Sequence, residues 1–286
     1  IEAACGGTHL LNIIDSNINN LNSLKQSAFI DEDGKDIKLT GYGVEFENVT
    51  FAYDHTEVIK DISFSIPENS MTAIVGPSGG GKTTLCNLIA RFYDVKSGAV
   101  KIGGHNVREL TCDSLLKNIS MVFQNVYLFH DTIANNIKLG NPNATEEQVI
   151  SAAKKARCHA FISELPEGYE TIVGESGSTL SGGEKQRISI ARAILKDAPI
   201  VMLDEATASI DPENEHYIQG AINELTKGKT VITIAHKLST IENADNIIVM
   251  KDGRISQQGK HEDLVKTDGV YKKFIEIRKT AEGWSI

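Results

Sequence analysis

The chain has 286 residues, with 29 Lys and Arg against 38 Asp and Glu, a formal charge of −9 at pH 7. Its 41% apolar and 23% charged residues describe a globular protein and exclude a disordered, collagen-like or cysteine-stapled one. A pI near 5.4 argues against nucleic acid, or an anionic membrane surface, as an electrostatic partner, since each needs a basic patch. Cys5, Cys86, Cys112 and Cys158 show no CxxC spacing, so neither a zinc site nor a disulfide framework is expected, and a reducing compartment fits. No run of about 18 apolar residues occurs, so no segment reads as a membrane span. The first Met is Met71 and no signal peptide opens the chain, which reads as a segment of a longer polypeptide, with a processed N-terminus as the alternative.

Residues 1–25 place Leu10, Leu11, Ile14, Ile18, Leu21 and Leu24 at helical spacing, and the Asn-rich opposite face makes this a weak helix that leans on something else. Residues 26–43, with the acidic turn DEDGKD and Gly41–Gly43, carry no periodicity and read as a linker. VEFENVTFAY from Val44 alternates as an edge or hairpin strand, and DISFSIPENS repeats the theme. MTAIVG is a short buried strand running into a glycine-rich loop. GKTTLCNLIARFY then reads as a helix with Leu85, Leu88 and Ile89 on one face. Residues 105–195 read as mostly helical, and Thr145 with Gln148 forms a capping box ahead of Val149, Ala152, Ala153 and Ala156. IVMLD, TVITIA and NIIVM return to buried strands, separated by a helix with Pro212 just inside its start. Apolar strands alternating with helices imply a largely parallel sheet covered on both faces.

Three motifs carry chemistry. Gly76-Pro77-Ser78-Gly79-Gly80-Gly81-Lys82-Thr83 fits GxxxxGK[ST], between a predicted strand and helix. Its glycines let backbone amides fold around phosphate oxygens at a helix N-terminus, Lys82 would reach the β- and γ-phosphates, and the Thr83 hydroxyl would hold Mg²⁺. IVMLDE ends an apolar strand in two carboxylates. Asp204 would hold Mg²⁺ through water, and Glu205 would orient or deprotonate the attacking water. LSGGEKQRISIARAIL is a Ser-Gly-Gly turn opening a helix whose apolar face carries Ile188, Ala191, Ile194 and Leu195. Read alone, it is either an ordinary capped helix or a second anion site.

At these residues the chain resembles the ABC ATPase family, whose signature is LSGGQ, with Glu184 here in the last position. The resemblance covers residues 44 to about 275, with every family motif in order. It implies an α/β P-loop NTPase fold with a mixed, mainly parallel central sheet, an antiparallel β subdomain and a helical signature subdomain at about 126–195. The implied domains are residues 1–43, the cytoplasmic end of a last membrane helix plus linker, and residues 44–286, the ATP-binding domain. Tyr53 matches the aromatic that stacks on adenine, and Thr84 joins residues 76–83 as an ATP contact. Gln124, in VFQNVYLF, matches the glutamine that touches Mg²⁺ and communicates with the membrane partner. Ser209, Ile210 and Asp211 match the dimer-contact loop, and His236 matches the switch histidine at the γ-phosphate. Glu205, His236, Lys82 and Gln124 are thus the implied catalytic set. Ser181, Gly182, Gly183 and Glu184 would contact the ATP of a second copy, in a head-to-tail sandwich of two chains around two ATP.

ARFYDVKSG, DTIANNI, TIVGESGSTLSGG and IAHKLSTIENAD resemble the exporter branch, in which six membrane helices precede the ATPase on the same chain and Glu175 touches the coupling helices. The implied function is ATP hydrolysis driving export, at the cytoplasmic face of the cell membrane, with a second nucleotide-binding domain and a membrane-spanning domain as partners and no nucleic acid. Glu184, Lys237 and Asn69 depart from the usual Gln, Arg and Gly, and a carboxylate at position 184 is expected to weaken trans ATP binding slightly. An importer-type subunit, a soluble repair or chromosome ATPase, and a regulatory module without turnover remain the alternatives. The repair ATPases are disfavoured because no heptad run separates Lys82 from Ser181, and intact Lys82, Glu205 and His236 count against the inactive module.

Overall fold

The computed structural model describes residues 34–174, 180–204, 212–235 and 237–283. The amphipathic stretch at 1–25 lies outside the described residues. Strands β1 (Val44–Tyr53) and β2 (Thr56–Ile66) form an antiparallel hairpin, and β4 (Ser97–Ile102) and β5 (His105–Asn106) complete a four-stranded sheet in the order β2-β1-β4-β5. β1 is therefore interior to its sheet and paired on both sides, and Val44, Phe46, Val49 and Phe51 are buried because their face packs on the hydrophobic core.

The second sheet holds six strands in the order β12-β11-β3-β10-β9-β6. These are β3 (Met71–Val75), β6 (Ile119–Val122), β9 (Ile200–Asp204), β10 (Thr230–Ile234), β11 (Asn246–Lys251) and β12 (Arg254–Gly259). All neighbours are parallel except β12, which runs antiparallel at the edge, so the sheet is mixed. β10 and most of β9 are buried on both faces, as near-continuous apolar strands under two helical layers must be. β6 arises inside the region whose composition reads as mostly helical, because the four residues of ISMV are too short to separate from a buried helix turn by periodicity.

Helices α1 (Lys82–Ile89) and α2 (Cys112–Leu116) lie between the first strands. A helical region follows: α3 (Ile133–Lys138), α4 (Glu146–Lys155), α5 (His159–Glu164) and α6 (Gly182–Lys196), with a short ribbon of β7 (Asp131–Thr132) and β8 (Ile172–Val173). The Thr145–Gln148 capping box is formed on both sides, and Val149, Ala152, Ala153 and Ala156 are buried beneath it. The chain closes with α7 (Pro212–Thr226), α8 (Leu238–Glu242), α9 (His261–Leu264) and α10 (Val270–Gly283).

Residues 34–43, which read as linker, lie against the first sheet. Lys35 bridges to Leu110, Leu39 is buried, and the Ile37 carbonyl accepts from the Ser114 hydroxyl at 2.8 Å. One buried leucine in a polar segment leaves no periodicity to read.

Candidate active site

The parallel strands deliver their C-terminal ends to one edge of the sheet, where ligands bind in open α/β folds. β3 ends at Val75 and the chain enters the glycine loop. Gly76 has φ +141, and a Cβ there would lie 2.1 Å from the Met250 carbonyl oxygen of β11, so only glycine lets the loop leave the sheet this tightly. Gly81, at φ +97, turns the chain into α1, and Leu85 N–H closes the first helical bond to its carbonyl at 3.1 Å. Gly79 faces open space, so the outer wall of the loop is unobstructed. Inside it, Lys82 is 8% exposed and its Nζ donates to the carbonyls of Gly76 at 3.0 Å and Pro77 at 2.9 Å. A buried ammonium so held projects its charge into the loop, and phosphate oxygens entering it would meet both that charge and the N-terminus of α1.

Thr83 and Asp204 come from distant parts of the chain but line one recess, with Cys86, Asn87, Met121, Val122, Phe123 and Met202. Asp204 is the last residue of β9, opposite Ile234 of β10, and β10 stands between β9 and the loop-bearing β3. Burial, with the Asp204 charge as a lesser cause, pushes the Cys86 thiol up to about 12, so this thiol stays protonated beneath the recess. The recess itself is mainly apolar, but the threonine hydroxyl and aspartate carboxylate carried by two of its lining residues are hard oxygen donors of the kind Mg²⁺ takes when phosphates and water complete its shell. Gln124 follows β6 and is exposed, one residue from Phe123 on the recess wall. Tyr53, at the end of β1, brings the antiparallel sheet to the loop. Its hydroxyl lies 3.4 Å from the Thr84 hydroxyl, and its ring stands edge-on to Phe51 at 4.8 Å and Tyr93 at 5.0 Å.

None of Ser181–Glu184 lines that recess, although Gln186 on the same helix donates to the Phe123 carbonyl at its wall at 3.3 Å. Ser181 caps α6. Its Oγ accepts from the Glu184 N–H at 3.3 Å, and its own N–H donates to Glu184 Oε2 at 2.7 Å. The residue that departs from the family signature is thus half of a capping box, folded back on its own helix. Ser181 and Gly182 are exposed, whereas Gly183 is buried because a Cβ there would meet the Asn214 side chain of α7 at 2.6 Å. Further along α6, Arg187 lies between the rings of Phe161, 5.0 Å away, and Tyr217, 5.2 Å away, which ties the signature helix to α5 and α7. Arg187 carries no signal in the motif, because its aromatic partners come from two other segments. Glu205, His236, Glu175, Ser209, Ile210 and Asp211 lie outside the described residues.

A strand–glycine-loop–helix, a carboxylate-ended parallel strand one place removed in the same mixed sheet, and an attached antiparallel sheet define an ABC-type P-loop ATPase fold. The chain belongs to the ABC transporter family, whose model matches residues 59–208. It is 50% identical over 235 residues to an ATP-dependent lipid A-core flippase of Syntrophus aciditrophicus, covering 82% of this chain and 39% of that protein. It is 49% identical over 237 residues to the protein of the same name in Legionella pneumophila strain Paris, covering 82% of this chain and 40% of the relative. The chain therefore spans about two fifths of the length of these relatives. Among solved structures, a bacterial Atm1-family ABC exporter with ATP bound matches with a TM-score of 0.82 at 38% identity, over 93% of this chain and 48% of that one.

Proposed function

We propose that the chain is the ATP-binding and ATP-hydrolysing motor of an exporter-type ABC transporter. The observation that carries this is Lys82 buried inside its glycine loop, followed at once by Thr83, which shares the lining of one recess with Asp204 from the end of β9. In this reading the loop amides and Lys82 hold the β- and γ-phosphates, and Thr83, Asp204 and Gln124 hold Mg²⁺ directly or through water. Tyr53 offers its face to adenine. Glu205 orients and deprotonates the attacking water, while His236 holds that water against the γ-phosphate. Bound Mg²⁺ supplies charge neutralisation of the phosphates. Ser181, Gly182, Gly183 and Glu184, which do not line the recess, serve the ATP of a second copy, so that ATP joins two chains and hydrolysis parts them.

Two further features favour a membrane-spanning partner. Phe123, Tyr127, Phe129 and Ile172 are exposed apolar side chains around Gln124 and the β7–β8 ribbon, and the Tyr127 and Phe129 rings pack edge-to-face at 5.1 Å. Secondly, the relatives named above are flippases and an exporter. The cytoplasmic face of a membrane follows from that reading.

Phosphate release with Mg²⁺ and ATP is the direct test. Lys82→Ala, Glu205→Gln and His236→Ala should each lower turnover at least about tenfold. Glu205→Gln should sediment as a dimer with ATP and as a monomer without it. A monomer under both conditions, or unchanged turnover in Glu205→Gln and His236→Ala, would sink the reading.

A further inference from the structure

Tyr53 is the last residue of β1. Pairing with Thr56 across the hairpin turn fixes its backbone, but leaves the ring free to choose among staggered rotamers. Its own strand offers the ring one neighbour on the same face, Phe51 two residues earlier, and Thr56 opposite is exposed. The hydroxyl contact to Thr84, at 3.4 Å, is too long to hold the ring firmly. A further restraint comes from another element. Tyr93, in the turn after α1, meets the Tyr53 ring at 88° with centroids 5.0 Å apart, and its centroid lies 5.6 Å from that of Phe51.

Tyr93 is itself firmly mounted. Arg91, at φ +54, turns the chain after α1, and its guanidinium donates to the Leu110 carbonyl at 2.8 Å and pairs with Asp94 at 3.3 Å. The Phe92 N–H donates to the Asn87 carbonyl at 2.8 Å. These bonds hold the chain on both sides of Tyr93 whether or not its ring touches Tyr53. The Tyr93 ring is therefore a fixed stop against which the Tyr53 ring rests.

We propose that Tyr93 is a positioning residue for recognition of the nucleotide base, its ring holding the Tyr53 ring in the orientation that stacks on adenine. The inference rests on the reading of Tyr53 as the adenine contact. Perpendicular packing against Phe51 and Tyr93 opposes rotation of the Tyr53 ring, and stacking needs that ring presented by its face. A ring released to other rotamers binds the base more weakly, in proportion to the fraction of molecules still in the stacking orientation.

The test measures dissociation constants of the 286-residue chain for MgADP, which carries the base, and for inorganic triphosphate with Mg²⁺, which lacks it. Tyr53→Leu should weaken MgADP about tenfold. Tyr93→Leu should weaken it about threefold, the factor expected when one ring orientation becomes three. Triphosphate affinity should stay unchanged in both, because Lys82 and the loop amides are untouched. Tyr93→Phe, which keeps the ring, should bind MgADP as the original chain does. In the Tyr53→Leu background Tyr93→Leu should add nothing, since its effect passes through Tyr53. Unchanged MgADP affinity in Tyr93→Leu, an equal loss for triphosphate, or a loss that persists in the Tyr53→Leu background overturns the proposal. Failure of the adenine reading looks different: Tyr53→Leu then binds MgADP as tightly as the original chain, and the proposal falls with it.

Discussion

Glu184→Gln should act in opposite directions on folding and on assembly. In the folded chain the carboxylate accepts the Ser181 N–H at 2.7 Å, and the glutamine carbonyl can accept the same bond, so the capping geometry survives. What is lost is one negative charge at the positive end of α6, worth about 0.5 kcal/mol at a part-exposed position. In a domain this size that lowers Tm by about 1–2 °C. In the proposed sandwich the partner's triphosphate approaches this same helix end. One unit charge at about 6 Å in a water-like dielectric opposes that approach by about 0.7 kcal/mol. Two symmetric sites give about 1.4 kcal/mol, or roughly tenfold in dimer association. Sedimentation equilibrium in a Glu205→Gln background with MgATP measures it at about 50 mM salt, and again at about 0.5 M, where screening should erase most of the gain. Glu184→Ala separates the terms, because it removes the charge and the cap together and should cost about 1 kcal/mol more in stability. Association that is unchanged or weaker in Glu184→Gln at low salt would refute the electrostatic reasoning.

Further outcomes follow from single sites. Gly76→Ala places a Cβ 2.1 Å from the Met250 carbonyl at φ +141, and urea unfolding should show a loss of roughly 3–5 kcal/mol. Gly79→Ala, at φ +75 with nothing within 4 Å, should cost only about 1 kcal/mol by the same measurement. Burial pushes the thiols of Cys86 and Cys158 up to about 12 from 9.0. The unfolded chain thus releases these protons from about pH 9 while the folded chain keeps them, so stability falls as pH rises from about 9 towards 12. Alanine at both positions should flatten the dependence of the urea midpoint between pH 8 and 10. Native labelling at pH 8, located by mass spectrometry, should reach half-exposed Cys112 before either of these two buried thiols. Asn136 is fully buried, accepts from the Phe129 N–H at 2.9 Å and donates to the Phe129 carbonyl at 3.0 Å. Asn136→Ala leaves these groups unpaired and should cost about 2–4 kcal/mol, with faster proteolysis near Phe129 as the local readout.

What was legible in the sequence was local. The phosphate loop, the Thr145–Gln148 capping box and the Pro212 helix start each depend on residues within one turn, so spacing alone specifies them. The apolar strands ending at Val75 and Asp204 could be read for the same reason, since strands buried on both faces need no partner to be recognised. Ser181 with Glu184 fits the same S-x-x-E pattern and was equally readable. Set against the family signature, however, position 184 registered only as a misplaced charge, and its capping role emerged from the hydrogen bonds.

Tertiary structure alone decided the pairings between segments far apart in the chain. Strand order puts β10 between β9 and β3, and only that order sets Asp204 at its distance from the phosphate loop. The Tyr53–Thr84 contact, the Arg187 clamp, the seat of Gly183 on Asn214 and the packing of Leu39 all join segments whose individual patterns are ordinary. The physical reason is common to them. Backbone hydrogen bonding and side-chain spacing act over a few residues and leave a periodic trace, whereas contacts between elements depend on how two surfaces meet after folding, which no single segment records.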